Sequence, residues 1–435
     1  MKNPSIGVIG LGFVGLTLAV VNAKKGFNTI AMDVNKTKIE NYKKSNLDFF
    51  EPKLDYYSKQ SIKKKKIFFT NNFEDISKAD IIFVTVGTPS LKNGQINLSN
   101  LKSVILKLKK LFKNKKSKHL IVIKSTVIPT TTSNIIFKEL KLLKNIGLVV
   151  NPEFLREGSA IDDLLTPHLI VIGSRNKKDA NKLEDYYKLF YKKKIEIIKT
   201  DFSSAELIKY TNNAFLATKI SFINSIANIC QNIPNTDVNI ISKAIGKDSR
   251  IGPLFLQAGA GFGGSCLPKD LNALINYSKK FDNVNSLFTA VKEVNDLQPK
   301  RIISLMKKDG ILSKNKTVSI LGLSFKKNTD DIRESISIKL VNHLLKHELE
   351  IKVHDPMAIN NFKKIFSNKI SYFNDVNECV KNSDCCIILT DWDEYKKLKV
   401  NDFKKMKEKT IIDGRRILDA TKFSSCNFKA IGLGN

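Results

Sequence analysis

Ile9-Gly10-Leu11-Gly12-Phe13-Val14-Gly15 follows an apolar run, Ile6 to Ile9, and opens a helical stretch, while Asp33 ends the next apolar run 21 residues beyond Gly12. Strand, glycine turn, helix, strand and acid in this order form a dinucleotide fingerprint in its required context. The glycines let a pyrophosphate approach the helix N-terminus, and the carboxylate can accept hydrogen bonds from the adenosine ribose hydroxyls. Gly10, Gly12, Phe13, Val14, Gly15 and Asp33 are therefore candidate cofactor-binding residues. Asp33 favours NAD over NADP, because a 2'-phosphate would be repelled there. The same glycines count against another reading of this end of the chain. Lys2 and the apolar stretch from Ile6 to Val21, ending before Lys24-Lys25, imitate a signal peptide or short anchor, but Gly7, Gly10, Gly12 and Gly15 suit no such helix. No later run has the length to span a bilayer, so no membrane partner is expected.

Outward from the fingerprint, short apolar strands alternate with amphipathic helical stretches: Thr29 to Met32, Ile67 to Phe69, Ile81 to Val86, Leu120 to Ile123, Gly147 to Val150, Leu169 to Ile172 and Ile195 to Ile198. This alternation predicts a doubly wound α/β domain over residues 1–200. From Ser203 to about Cys230 neither proline nor glycine interrupts a helical pattern, which predicts a long spine helix in a central helical domain, 201–306. After the basic segment Lys307 to Lys316, the run Thr317 to Leu321, Gly322, a helix from about Ser335 to Lys346 and a strand ending on Asp355-Pro356 repeat the opening plan. The expected fold class is α/β: two Rossmann-like doubly wound domains joined by the helical centre, the second over 307–435. A chain of 435 residues exceeds one core.

A net charge of +31 would ordinarily suggest nucleic acid or an anionic surface. Yet only seven of the 73 basic residues are arginine, the lysines are spread along the chain, and no nucleic-acid-reading motif accompanies them. Solvated lysines explain the charge, and no nucleic-acid partner is expected. Five of the seven arginines (Arg156, Arg250, Arg333, Arg415, Arg416) fall inside the motifs described below, where a planar fork is not replaceable by lysine. The six cysteines have no metal-like spacing, which predicts free thiols, no metal and a cytoplasmic location.

The segment Gly261-Phe-Gly-Gly-Ser-Cys266-Leu-Pro-Lys269-Asp270 places one thiol in a glycine-rich turn with an ammonium and a carboxylate close behind. A nearby ammonium favours the thiolate, which is the nucleophile. A lone cysteine is more often structural, so the rest of the chain decides. In Glu206-Leu-Ile-Lys209-Tyr-Thr-Asn-Asn213, positions 206, 209 and 213 share a helical face. Taken alone, such a Glu and Lys pair is usually a solvated helix face; beside a cofactor domain, Lys209 and Asn213 can hold a hydroxyl or alkoxide. Val86-Gly-Thr88-Pro89, Lys124-Ser-Thr126-Val127 and Asn151-Pro-Glu153-Phe-Leu-Arg-Glu157-Gly158 follow predicted strands, at the ligand-binding edge of such sheets.

Taken in order, these motifs, with Phe50-Glu51-Pro52, Asp248-Ser249-Arg250-Ile251-Gly252, Phe325-Lys326 through Asp331-Ile332-Arg333-Glu334 and Asp413-Gly414-Arg415-Arg416, resemble the UDP-glucose/GDP-mannose dehydrogenase family across the whole chain. The resemblance implies oxidation of a sugar 6-hydroxyl to a carboxylate by two hydride transfers to NAD. It implies that Lys209 and Asn213 position the 6-oxygen, and that Lys209 or a water held by Asp270 takes the first proton. Cys266 then adds to the aldehyde, the thiohemiacetal becomes a thioester, and water oriented by Asp270 and Glu157 hydrolyses it. Glu153 and Thr126 join the catalytic set. By the same resemblance Lys38, Thr88, Thr126, Glu157, Lys269 and Arg333 meet NAD. The substrate falls to Glu153, Phe154, Leu155 and Arg156, the loop Phe255-Leu256-Gln257-Ala258-Gly259, Gly263, Lys326, and Arg415 or Arg416. Arg250 reaches a neighbouring subunit's site, which implies at least a homodimer. Lys53 and Thr130 stand where glycine is frequent, which leaves those two turns open.

UDP-glucose is the expected substrate, on the Arg250 motif and the Phe255–Gly259 loop; UDP-N-acetylhexosamines and GDP-mannose are the alternatives. A single-hydride 3-hydroxy acid dehydrogenase shares the Rossmann domain and helical lysine, but Cys266 and the third domain count against it. A basic nucleic-acid-binding protein rests on the charge alone.

Overall fold

The computed structural model describes residues 3–91, 93–192, 195–281 and 284–434; Lys2 lies outside them. The chain divides into two compact units, residues 1–212 and 213–435.

The first unit is built on an eight-stranded sheet. Its strands are β1 (Ile6–Ile9), β2 (Thr29–Met32), β3 (Ile67–Thr70), β4 (Ile81–Val84), β5 (His119–Ile123), β6 (Ile146–Val150), β7 (Ile170–Ser174) and β8 (Ile197–Thr200). They lie in the order 3-2-1-4-5-6-7-8. All neighbours pair in parallel except β6 and β7, where Val149 faces Ser174 in an antiparallel pair. The central strands are buried along their whole length, as expected of apolar, β-branched runs covered by helices on both faces. Strand order reverses between β1 and β4, so the turns after β1, β4, β5 and β6 converge on the edge where such sheets bind ligands. That convergence brings Gly10, Thr88, Lys124 and Asn151, far apart in sequence, to one rim.

The second unit carries a six-stranded parallel sheet of β9 (Thr317–Leu321), β10 (Glu350–His354), β11 (Ser371–Phe373), β12 (Cys385–Ile388), β13 (Thr410–Asp413) and β14 (Asn427–Ala430). Its order, 11-10-9-12-13-14, reproduces that of the first six strands. The acid closing β10, Asp355, is 2% exposed. It accepts from the Leu323, Ser324, Met357 and Ala358 amides, the Ser324 hydroxyl and the Trp392 indole, at 2.7–3.2 Å.

The predicted spine helix is Phe202–Cys230, followed by helices Val238–Ile245, Leu267–Ser278 and Ser286–Lys308. Among the described residues no helix is long and apolar enough to cross a membrane.

Both turns left open by the sequence adopt the left-handed conformation that glycine tolerates: Lys53 at φ 69° and Thr130 at φ 74°. Lys53 is further tied to Asp162 at 2.6 Å. For a β-branched residue that region is strained by roughly 1–2 kcal/mol. Thr130→Gly is accordingly expected to raise the melting temperature, and by more than Lys53→Gly does; calorimetry on the two variants checks the order.

Candidate active site

In the first unit the fingerprint turn has the shape a dinucleotide needs. Gly10 takes φ +92°, and a Cβ on Gly15 would stand 1.9 Å from the Gly10 carbonyl oxygen, so only glycine lets the helix Phe13–Lys24 pack this tightly on the turn. A Cβ on Gly12 would meet nothing within 4 Å. The backbone at the helix N-terminus is thus open to a pyrophosphate. Asp33 Oδ2 accepts from the Leu11 amide at 2.8 Å and Oδ1 from Asn35 at 3.0 Å. The carboxylate stays partly exposed, with lone pairs left for a ribose. The residues present therefore fit NAD. Thr88 Oγ1 donates to the Thr126 carbonyl at 2.7 Å, joining the turns after β4 and β5. Lys38 is held by Asp48 at 3.0 Å.

The turn after β6 carries a buried ion pair. Glu153 Oε1 lies 3.2 Å from Lys209 Nζ, the side chains being 7% and 5% exposed, and Glu153 Oε2 accepts from the Leu155 amide at 2.6 Å. The Phe154 ring lies 5.4 Å from the same ammonium. Arg156, exposed, grips Asp163 through two nitrogens at 3.0 and 2.6 Å. Behind Glu157, which is partly exposed, the loop is clamped by Glu51: its two oxygens accept from the Gly158 and Ala160 amides at 2.6 and 2.8 Å.

Glu206 does not act with Lys209. Its Oε1 accepts from the Thr132 amide at 2.8 Å, and its Oε2 has no hydrogen-bond partner among the described residues. Burial pushes its pKa up to about 7. Between the ordinary value of 4.5 and 7 the folded chain holds a proton that the unfolded chain has released. The contribution of this group to stability is therefore full below about pH 4.5 and lost as pH rises through about 7. Glu206→Gln, neutral at every pH, is expected to gain on the wild type by up to about 3 kcal/mol between pH 4.5 and pH 8. Urea unfolding of both proteins across that range measures the difference.

In the second unit, Cys266 is the N-cap of helix Leu267–Ser278, with Pro268 in the first turn. The aligned peptide dipoles of that helix favour a thiolate at this end. One turn inward, the fully buried Asp270 accepts from Asn213 Nδ2 at 2.6 Å and from Lys269 Nζ at 2.5 Å. The other thiols differ. Burial pushes Cys379 and Cys385 well above the usual thiol range and Cys386 up to about 12, whereas Cys266 is partly exposed.

The glycine-rich loop before Cys266 is strapped down on several sides. Asn224 Oδ1 accepts from the Gly259 amide at 2.8 Å. Asn295 both accepts from the Phe262 amide and donates to its carbonyl, at 2.8 and 3.0 Å. The Gly264 amide donates to the Arg333 carbonyl, and the Phe325 ring lies where a Gly264 Cβ would be, at 2.6 Å. Arg415, with no carboxylate within ion-pair distance among the described residues, donates to the carbonyls of Gly261, Leu389 and Phe325.

The remaining expected substrate residues have distinct surroundings. Phe255 takes φ 64°, Gln257 is exposed, and Leu256, Ala258, Gly259 and Gly263 are buried. Lys326 Nζ lies 5.7 Å from the Phe325 ring centroid. Arg333 is held bidentately by Asp331, and Arg416 pairs with Asp237 at 2.5 Å. Arg250, 87% exposed, is held by Asp248. Asn224, Asn295, the clamping role of Glu51 and the strapping role of Arg415 had no place in the sequence reading. A polar residue inside an apolar helical stretch is the signal that marks Asn224; Asn295, set among Lys292, Glu293 and Asp296, carries no such mark. Among the described residues no cluster of His, Cys, Asp and Glu could hold a metal ion.

Comparison with known proteins covers the chain from end to end. Residues 4–191 match the NAD binding domain of the UDP-glucose/GDP-mannose dehydrogenase family, 203–297 its central domain and 319–420 its UDP binding domain. The UDP-glucose 6-dehydrogenase of Rickettsia bellii is 39% identical over 99% of this chain and 99% of its own length. That of Bacillus subtilis YwqF is 37% identical over 98% and 97%. The solved UDP-glucose dehydrogenase of Pyrobaculum islandicum superimposes with a TM-score of 0.92 at 31% identity, covering 99% of this chain and 98% of that one.

Proposed function

Since this chain belongs to the UDP-glucose/GDP-mannose dehydrogenase family, we propose that it oxidises UDP-glucose at C6 to UDP-glucuronate, with two NAD reduced per sugar. The observation that carries this reading is the arrangement on one helix start: Cys266 at the N-cap and, one turn on, Asp270 holding the Asn213 amide. An alcohol oxidation alone needs no thiol. An aldehyde has no hydride ready to leave until a nucleophile adds to its carbonyl carbon, and a thiolate supplies that nucleophile.

NAD, when bound, accepts a hydride from C6 at each of the two oxidations. The chain's own residues do the rest. Lys209 and Asn213 hold the 6-oxygen, and the proton leaves it to Lys209 or to a water on Asp270. Cys266 Sγ bonds to C6 of the aldehyde, giving a thiohemiacetal and, after the second oxidation, a thioester. Water, oriented by Asp270 and Glu157, adds to the thioester carbonyl and expels the thiolate. Glu153 keeps Lys209 in place, and Thr126 lines the rim beside Thr88. In this reading residues 1–200 bind NAD, 201–306 supply the catalytic helices and the subunit contact, and 307–435 bind the UDP end.

The names of the relatives above support UDP-glucose over N-acetylhexosamine or GDP-mannose substrates. An exposed apolar row on the spine helix, Phe215, Phe222 and Ile229, at 63%, 52% and 55% exposure and seven residues apart, supports a homodimer. Arg250 is then the residue reaching the partner's site. A cytoplasmic location follows from the substrate, which is a cytosolic metabolite class, and from the free thiols. The test is the NADH formed per sugar consumed, with UDP-glucose, UDP-N-acetylglucosamine and GDP-mannose in parallel. Two NADH with UDP-glucose supports the reading, two with another sugar moves the substrate, and one removes the thioester step.

A further inference from the structure

We infer that Lys124, which no step above uses, is a positioning residue that makes the Glu153–Lys209 pocket net cationic and so eases loss of the proton from the substrate's 6-hydroxyl. The inference rests on the proposed C6 oxidation and extends it to a residue that touches neither the thiol nor the fingerprint.

Lys124 directly follows β5 on the rim where the turns of the first sheet converge, and it is 5% exposed. Its Nζ donates to Asn151 Oδ1 at 2.9 Å and, more weakly, to the Asn151 carbonyl at 3.4 Å. The Asn151 amide is itself fixed: Oδ1 also accepts from the Tyr187 hydroxyl at 2.5 Å, and Nδ2 donates to the Val171 carbonyl at 2.8 Å. Every one of these partners is neutral; burial holds the Tyr187 phenol well above its usual range, so it stays protonated. A buried ammonium with only neutral acceptors is costly, and a chain keeps one where its charge is used. The charged groups that act on Lys124 are Glu153, which favours its protonation, and Lys209, which opposes it; burial outweighs both and brings its pKa down to about 8.

With the first proton taken by the water on Asp270, the rim at neutral pH gathers two ammonium groups, Lys124 and Lys209, and one carboxylate, Glu153. When the 6-hydroxyl gives up its proton, the alkoxide brings this pocket to charge balance. Without Lys124 the same step leaves two negative charges facing one positive. In a water-poor site that difference is felt strongly, because a cation near a group that must lose a proton favours the deprotonated form.

The test is the pH dependence of kcat/KM for the first oxidation in wild type, Lys124→Met and Asn151→Asp. The second variant leaves Lys124 in place but gives it a counter-ion of its own, so it answers the question even if Lys124→Met does not fold. In both variants the rising limb is expected to move up by about one pH unit and the neutral-pH rate to fall about tenfold or more. Oxidation of added UDP-sugar 6-aldehyde and the KM for NAD are expected to stay within about twofold. Folded variants whose limb coincides with the wild type overturn the inference and leave the function standing. A wild type that reduces no NAD with any nucleotide sugar overturns both.

Discussion

Cys266→Ser is expected to abolish the second oxidation, lowering the rate of UDP-glucuronate formation by ~1,000-fold or more, because a neutral hydroxyl is a far poorer nucleophile than a thiolate. The first oxidation does not require the thiol, so a single NADH per active site should still form in a burst. Cys266 caps its helix through backbone geometry and makes no side-chain cap hydrogen bond. The exchange of sulfur for oxygen therefore leaves the loop as it is. Rapid-mixing absorbance at the NADH band separates the two outcomes: a burst with no steady phase supports the assignment, and an unchanged steady phase overturns it. Alkylation offers an independent reading, since Cys266 should react ahead of the buried Cys379, Cys385 and Cys386.

Lys209→Met is expected to damage both stability and the first oxidation. It removes the ammonium 3.2 Å from Glu153 and leaves that carboxylate buried at 7% exposure, an arrangement that costs about 3–5 kcal/mol. The chemical loss is separate: in the proposed mechanism the group that holds the 6-oxygen is gone, for a further ~100–1,000-fold in kcat. The double variant Lys209→Met with Glu153→Gln distinguishes the two effects. Removing the stranded charge should restore most of the urea midpoint and none of the activity. If activity returned with stability, Lys209 would be a strut and not a participant.

The strands of the first sheet, β9, β10 and the spine helix were legible in the sequence to within a residue or two, for a physical reason, whereas β11 to β14 went unread. Parallel strands buried on both faces must be continuous apolar runs, as Ile81–Val84 and Thr317–Leu321 are. A helix without proline or glycine over Phe202–Cys230 has nothing to interrupt it. The single antiparallel pair, β6 with β7, carries no such mark, because direction is a property of the connection and not of the strand. Side-chain partners were far less legible. Positions 206 and 209 share a helix face, and that spacing says nothing about what the face packs on. The structure sends Glu206 to the Thr132 amide and Lys209 to Glu153, partners 74 and 56 residues away. The straps on the cysteine loop were hidden in the same way: Asn224, Asn295 and Arg415 each bond to backbone groups 26 or more residues distant. The left-handed turns at Lys53 and Thr130 showed only through the family resemblance, as places where glycine is frequent, because neither residue is itself one that prefers that region.

The two sheets share one strand order, and each has an acid at the end of its second strand, yet only one of these acids is available to read a ligand. Asp33 has spent two acceptor positions on its own turn and faces solvent with the others. Asp355 is enclosed by six donors, a tryptophan indole among them. One plan used twice has thus become a sensor in the first copy and a keystone in the second, and the difference lies in unspent lone pairs, which no pattern of letters records.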